Sequence, residues 1–302
     1  MKKLLAVVVF AVIIAGCVGQ EDTITYGENI IIVKDEKVLP SPVTAGSSFD
    51  VSFIAQNVHE TEDANNVLIT LYDWGPAACK VTSVGGAGVG EETFYTLLSE
   101  SRVPSGAERL VEIGAKAPSQ AEIAGIRSRC DFKYNVMYDS FAVTTIDTSV
   151  ISEARLKQLQ KAGETVSFSP TQTIGAGPIQ IKFEHAVSLP VREGDSLIFD
   201  VKVEDVGEGN YISIPVDTLE VTVPEEFIPV EEGCSIEFVG NVENGKRVYR
   251  NKEPLPLIRG STSKYRCKFT APSVLEERTF FITGRMDYTY VIYKEISVDI
   301  IP

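Results

Sequence analysis

Five cysteines and two histidines carry most of the distinctive chemistry available to this chain. Cys79, Cys130, Cys234 and Cys267 are spread through the body, and Cys17 stands apart near the start. No two cysteines have CxxC spacing and neither His59 nor His185 lies in an HExxH motif, so zinc is disfavoured and no metal ligands are assigned. A Ser-His-Asp hydrolase is equally poorly served, because no G-x-S-x-G elbow exists to present a serine. Gly85, Gly86, Gly88 and Gly90 invite comparison with a phosphate cradle. Glu91 and Glu92 follow them where a P-loop needs GK[ST], and two carboxylates would repel phosphate, so a flexible loop is expected. Acidic groups cluster in His59-Glu60-Thr61-Glu62-Asp63, in Glu225-Glu226 and in Glu231-Glu232. They could offer oxygen ligands to Ca²⁺, but no EF-hand spacing is present, and solvated acidic loops are the better reading. Paired carboxylates for glycoside hydrolysis would need an aromatic-lined cleft, and nothing in the sequence marks one. The expectation is a non-enzyme without a cofactor.

Lys2 and Lys3 precede an apolar run from Leu4 to Ala15, too short to cross a hydrocarbon core of about 30 Å as a permanent helix. That pattern reads as a secretory signal. Its end, Ile14-Ala15-Gly16-Cys17, resembles the lipoprotein signal-peptidase motif. The resemblance implies cleavage before Cys17, a thioether-linked lipid on the Cys17 sulfur, and attachment to the outer face of a membrane, as in prokaryotic surface lipoproteins, archaeal ones included. Loss of residues 1–16 would leave 26 of the 28 basic side chains against 42 acidic ones. So acidic a surface repels phosphates, which argues against nucleic acid or anionic lipid as a partner.

In an exported chain the four remaining cysteines read as two disulfides. Three connectivities are possible; the simplest pairs neighbours, Cys79–Cys130 and Cys234–Cys267. Each closed loop would stabilise the fold by roughly 4 kcal/mol in the chain-entropy treatment. Trp74, the only tryptophan, lies in Asp73-Trp74-Gly75-Pro76 just before Cys79. It either packs over that disulfide, the leading reading, or stands out as an anchor for a partner.

The elements that must position these residues are strands. Phe49, Val51 and Phe53 alternate with polar residues, as do Val67, Ile69 and Leu71, the run Phe132 to Tyr138, and Val201-Lys202-Val203. Pro and Gly clusters punctuate them at intervals that suit sandwiches rather than βαβ units. Asn244-Gly245 is a hairpin-turn candidate. The tyrosine rows Tyr134/Tyr138 and Tyr288/Tyr290/Tyr293 read as sheet-face packing ahead of a carbohydrate platform. One short helix is expected from Ser152, its cap, to Gly163, with Leu156, Leu159 and Ala162 packing on its own domain.

The body is also duplicated. Ala45-Gly46-Ser47-Ser48-Phe49 returns as Glu193-Gly194-Asp195-Ser196-Leu197, Asn57-Val58 as Asp205-Val206, Ala117-Pro118-Ser119 as Ala271-Pro272-Ser273, and the Tyr134 strand as the Tyr288 strand. Cys79 and Cys234 are equivalent, whereas Cys130 aligns with Gly284 and Cys267 with Ile113. The runs Pro42 to Val58, Ala64 to Asp73 and Val201 to Gly207 resemble CARDB-type domains, immunoglobulin-like sandwiches of bacterial and archaeal surface proteins. His59 stands where that family's corner carries glycine, so the first corner is expected to turn differently.

The resulting expectation is an all-β protein of two tandem immunoglobulin-like sandwiches: signal peptide 1–16, lipid anchor and tether 17–27, first sandwich 28–150, helical linker 151–170 and second sandwich 171–302. Its expected role is non-catalytic binding or structure in the envelope, toward an unknown protein or glycan. The alternatives are a subunit or accessory of a surface appendage or secretion complex, and an envelope glycan hydrolase.

Overall fold

The structure, a computed structural model, describes residues 29–74, 79–209, 211, 213–238 and 245–302. The first repeat supplies β1 (Ile31–Leu39), β2 (Val43–Thr44), β3 (Ser48–Asn57), β4 (Ala64–Asp73), β5 (Lys80–Val84), β6 (Ala87–Gly88), β7 (Tyr95–Val103), β8 (Glu108–Lys116) and β9 (Ser128–Ile151). Helix α1 (Glu153–Ala162) follows. The second repeat supplies β10 (Gln172–Ile174), β11 (Ile179–His185), β12 (Val191–Arg192), β13 (Ser196–Asp205), β14 (Ser213–Ile214), β15 (Leu219–Pro224) and β16 (Ile228–Cys234), then β17 (Glu237–Phe238), β18 (Lys246–Arg250), β19 (Leu255–Pro256), β20 (Tyr265–Thr270) and β21 (Glu277–Ile301). Among the described residues the protein is all-β with one short helix, as its period-two patterning predicts.

Two smaller sheets, ordered β1-β3-β8-β5-β6 and β11-β13-β20-β16, lie on one face of a ten-stranded sheet whose main path is β17-β18-β15-β21-β9-β4-β7. Aromatic contacts join the layers: Phe53 stacks on Tyr134 at 4.6 Å, and Tyr249 meets Phe269 edge-on at 5.7 Å. The large sheet owes its length to β9 and β21. β9 buries Cys130, Phe132, Tyr134, Val136, Tyr138, Ala142, Ile146 and Val150 on a single face along its 24 residues, about 80 Å of strand. β21 pairs with it antiparallel from Glu277↔Ile151 to Ile300↔Ser128.

This pairing makes each sandwich depend on the other repeat. β4 lies along the first half of β9, and β15 along the first half of β21. The second half of each long strand therefore serves as the last strand of the opposite sandwich. Short parallel pairings confirm the exchange: Val43 of β2 pairs with Ile300, and Val191 of β12 with Val150. The repeat offset and the strand register also agree. Met137 and Val291 are equivalent in the duplication and face each other in the ladder, so an approximate dyad passes between them.

Ser152 caps α1, its Oγ accepting from the Arg155 N–H at 3.2 Å, and Gly163 closes it at φ 76°. The expected packing of α1 on its own domain is slight. No helix residue is buried; Leu156 and Leu159 are half-covered and Ala162 is exposed. The chain then returns to the second sandwich, where the Phe168 N–H donates to the Leu189 carbonyl at 3.0 Å.

Candidate binding surface

Cross-strand polar pairs and two exposed tyrosines occupy the outer face of the large sheet above the first sandwich. Period two sends Arg129, Asp131, Lys133 and Asn135 of β9 outward while their neighbours enter the core. On β21 they face Asp299, Ser297, Glu295 and Tyr293 respectively. The β4–β9 register slips between Leu71 and Asp73, and this irregularity lies where Tyr72 is turned out beside Asp73. Tyr72 is 40% exposed and Tyr293 53%, and their rings meet edge-to-face across β9 at 6.3 Å.

The polar groups form an ion pair and, beside it, a hydrogen-bonded network. Lys133 Nζ donates to Asp73 Oδ2 at 3.0 Å, Arg129 to Glu295 Oε1 at 3.2 Å and to Asp131 Oδ1, and Ser297 Oγ to Asp131 Oδ1 at 2.8 Å. Burial works against charge on Asp131, but hydrogen bonds from Arg129 and Ser297 outweigh it and hold the carboxyl below its ordinary value. The strip is thus a hydrogen-bonded row of donors and acceptors ending in an aromatic pair.

Beside the dyad lies a second constellation, which is structural. The Ile30 N–H donates to Tyr138 Oη at 3.2 Å, seating the start of β1 at the middle of the molecule. Tyr290 Oη donates to Asp205 Oδ1 at 2.8 Å and accepts from the Gly209 N–H at 2.9 Å. Burial raises the Asp205 carboxyl above its usual range, with the Tyr290 hydroxyl and backbone N–H groups opposing. That carboxyl closes a corner: its Oδ1 accepts from the Gly207 N–H at 3.1 Å. Asn57 makes the same turn in the first repeat, accepting from the His59 N–H at 2.9 Å. His59 in place of glycine therefore leaves the hydrogen bond of the corner unchanged, contrary to expectation. Its Nδ1 accepts from the Glu62 N–H at 3.0 Å, locking the loop that holds the acidic cluster.

Cys17 lies outside the described residues, as does Asn244 of the expected hairpin turn. Cys79 is bonded to Cys130, linking the start of β5 to β9 and so one layer to the other. Cys234 is bonded to Cys267, its direct partner across β16 and β20 within one sheet. At the position matching Cys130 stands Gly284, where a Cβ would lie 3.0 Å from Ile181 Cγ2 and 3.1 Å from Phe183 Cζ. β11 has closed over the site that a second layer-to-layer bond would need. Trp74 is half-buried and packs on Tyr95 with ring centroids 5.1 Å apart. Gly85 and Gly86, both at positive φ, form the tip of the β5–β6 hairpin. His185 lines a cavity of about 480 Å³ with Phe168 and Phe183, its Nε2 3.3 Å from the Asp147 carbonyl. Among the described residues no group of three His, Cys, Asp or Glu side chains is placed to hold a metal ion.

Of the tyrosine rows, Tyr134, Tyr138, Tyr288 and Tyr290 are buried and Tyr293 is not. The parity of its number against Tyr288 and Tyr290 carries that signal. Tyr72 carries the same signal against Val67, Ile69 and Leu71, whose buried parity turns it outward; its meeting with Tyr293 depends on the strand registers and has no such signal.

No protein-family model and no curated protein matches this chain by sequence. Among solved structures, the C-terminal globular domain of an oligosaccharyltransferase from Pyrococcus abyssi is similar at 10% identity and a TM-score of 0.28, over 89% of this chain and 49% of that one. The chain thus spans about half the length of that match. A collagen adhesin from S. aureus is similar at 8% identity and a TM-score of 0.18, over 91% of this chain and 97% of that one.

Proposed function

We propose that this protein is an exported lipoprotein, held at the outer face of a membrane through Cys17, whose body is a non-catalytic binding module of CARDB-like sandwiches. The observation that carries this reading is a body with two disulfides following an apolar run that ends at Cys17. Disulfides persist in oxidising compartments. Among the described residues no helix is long and apolar enough to cross a membrane. A lipid on Cys17 would be separated from Ile30 by a tether reaching at most roughly 45 Å. Because Ile30 sits beside the dyad, the tether would meet the body at its middle and leave both sandwiches free to engage a partner.

The test is fractionation of cells expressing the full chain or Cys17→Ser. The reading expects the unsubstituted chain to lose residues 1–16 and carry a lipid mass increment on Cys17, and the variant to show neither change. An unsubstituted chain in the membrane fraction without that increment would rule the lipid anchor out.

An edge strand offers one binding mode. Among the described residues β7 pairs with β4 alone, and an added strand from an envelope protein would continue the sheet there. A proline scan of β7 that leaves partner capture unchanged would remove that mode. The same edge would serve the alternative, a subunit of a surface appendage or secretion complex.

A further inference from the structure

We propose that the outer strip above the first sandwich binds an extended, neutral oligosaccharide, with Tyr72 and Tyr293 stacking on a sugar ring and the Arg129–Glu295 network taking its hydroxyls. This deepens the binding reading above and rests on it. Two large aromatic side chains are left exposed in mutual contact where the β4–β9 register slips, a place where neither helps the core. Their planes stand at 84°, so together they offer one face and one edge to the same ligand unit. The C–H faces of pyranose rings pack on such surfaces.

From Tyr293 the strip continues through Glu295, Ser297 and Asp299, faced by Lys133, Asp131 and Arg129. At about 3.4 Å per residue it extends roughly 20 Å, the length of about four linked pyranoses. Donors and acceptors alternate along it and are already held by their mutual hydrogen bonds, so little side-chain freedom remains to be lost on binding.

Charge selects among ligands. Arg129 and Lys133 face four carboxylates: Asp73, Asp131, Glu295 and Asp299. That excess disfavours uronic-acid glycans and nucleic acid, and it disfavours a second copy presenting the same strip. Tyr72 comes from the first repeat and Tyr293 from the second, so the site exists only because the long strands are exchanged.

The experiment is calorimetric titration of the full chain with cellohexaose and with chitohexaose, repeated with Tyr72→Ala, Tyr293→Ala and Tyr293→Phe. Saturable binding of either sugar is expected, weakened about tenfold or more by each alanine variant and retained by Tyr293→Phe. Both tyrosines are exposed, so the alanine variants should keep the thermal midpoint, and Tyr293→Phe separates stacking from folding. The site is overturned if neither sugar saturates the chain, or if the alanine variants bind as the unsubstituted chain does. Binding that both alanine variants leave intact would refute this site and preserve the binding reading. Shorter fragments in the mass spectrum, lost with Tyr293→Ala, would support the site and refute the non-catalytic reading.

Discussion

At the scale of single residues, Gly284 and His185 show how much local chemistry is decided by what packs opposite. Gly284 is needed for absence of volume rather than for backbone freedom, because Ile181, Phe183 and Thr144 all crowd the space a methyl would take. Gly284→Ala is expected to lower unfolding free energy by about 1–3 kcal/mol, measured by denaturant titration. A loss below a few tenths would mean that β11 can give way. His185 is governed by desolvation, which lowers its pKa, while its contact with the Asp147 carbonyl opposes. An unfolded histidine titrates near 6.5. As pH falls below that value the unfolded chain gains a proton that the native site resists, so stability is full above about 6.5 and declines as pH drops toward the folded pKa. His185→Phe should flatten that part of the stability profile. An unchanged slope would place the proton uptake elsewhere.

At the scale of elements, the exchanged strands bind the two sandwiches into one cooperative unit. Neither sandwich can open without breaking β9 and β21, which run through both. Thermal unfolding is therefore expected as one transition. Phe53→Ala in the first core and Phe199→Ala in the second should each lower that same transition, each costing about 3–5 kcal/mol. Two separate transitions, each moved by only one of the substitutions, would show that the long ladder divides at the dyad. The helix belongs to a different class of element. Its cap and stop are local and readable from Ser152 and Gly163, yet it contributes little burial, because the connection it forms lies outside both cores.

At the scale of the whole molecule, charge and attachment point matter more than any single contact. The chain carries a formal net charge of −14. Residues 17–302 carrying Cys17→Ser are expected to stay off anionic vesicles at low ionic strength, as flotation would check. Salt-sensitive flotation with the vesicles would reveal a basic docking face that the average charge hides. The dyad lies beside Ile30, so the proposed tether would join the body where the two sandwiches are equivalent, which an attachment at either distant end would not do.

What the sequence alone determined follows from local periodicity. Alternation from Phe49 to Phe53 and from Phe132 to Tyr138 specifies strands and the face each one buries, because successive side chains point to opposite sides. The duplication was legible from its repeated segments, and with it the equivalence of Asn57 and Asp205, but not that the first corner would keep its hydrogen bond with His59 in place of glycine. The exchange of β9 and β21 was not legible. Strand pairing is a contact between segments about 150 residues apart, and a run of buried alternating residues is equally compatible with pairing inside its own repeat. The strip that unites Tyr72 with Tyr293 inherits that limit: period two turns Tyr293 outward, but only the register of three strands brings Tyr72 against it.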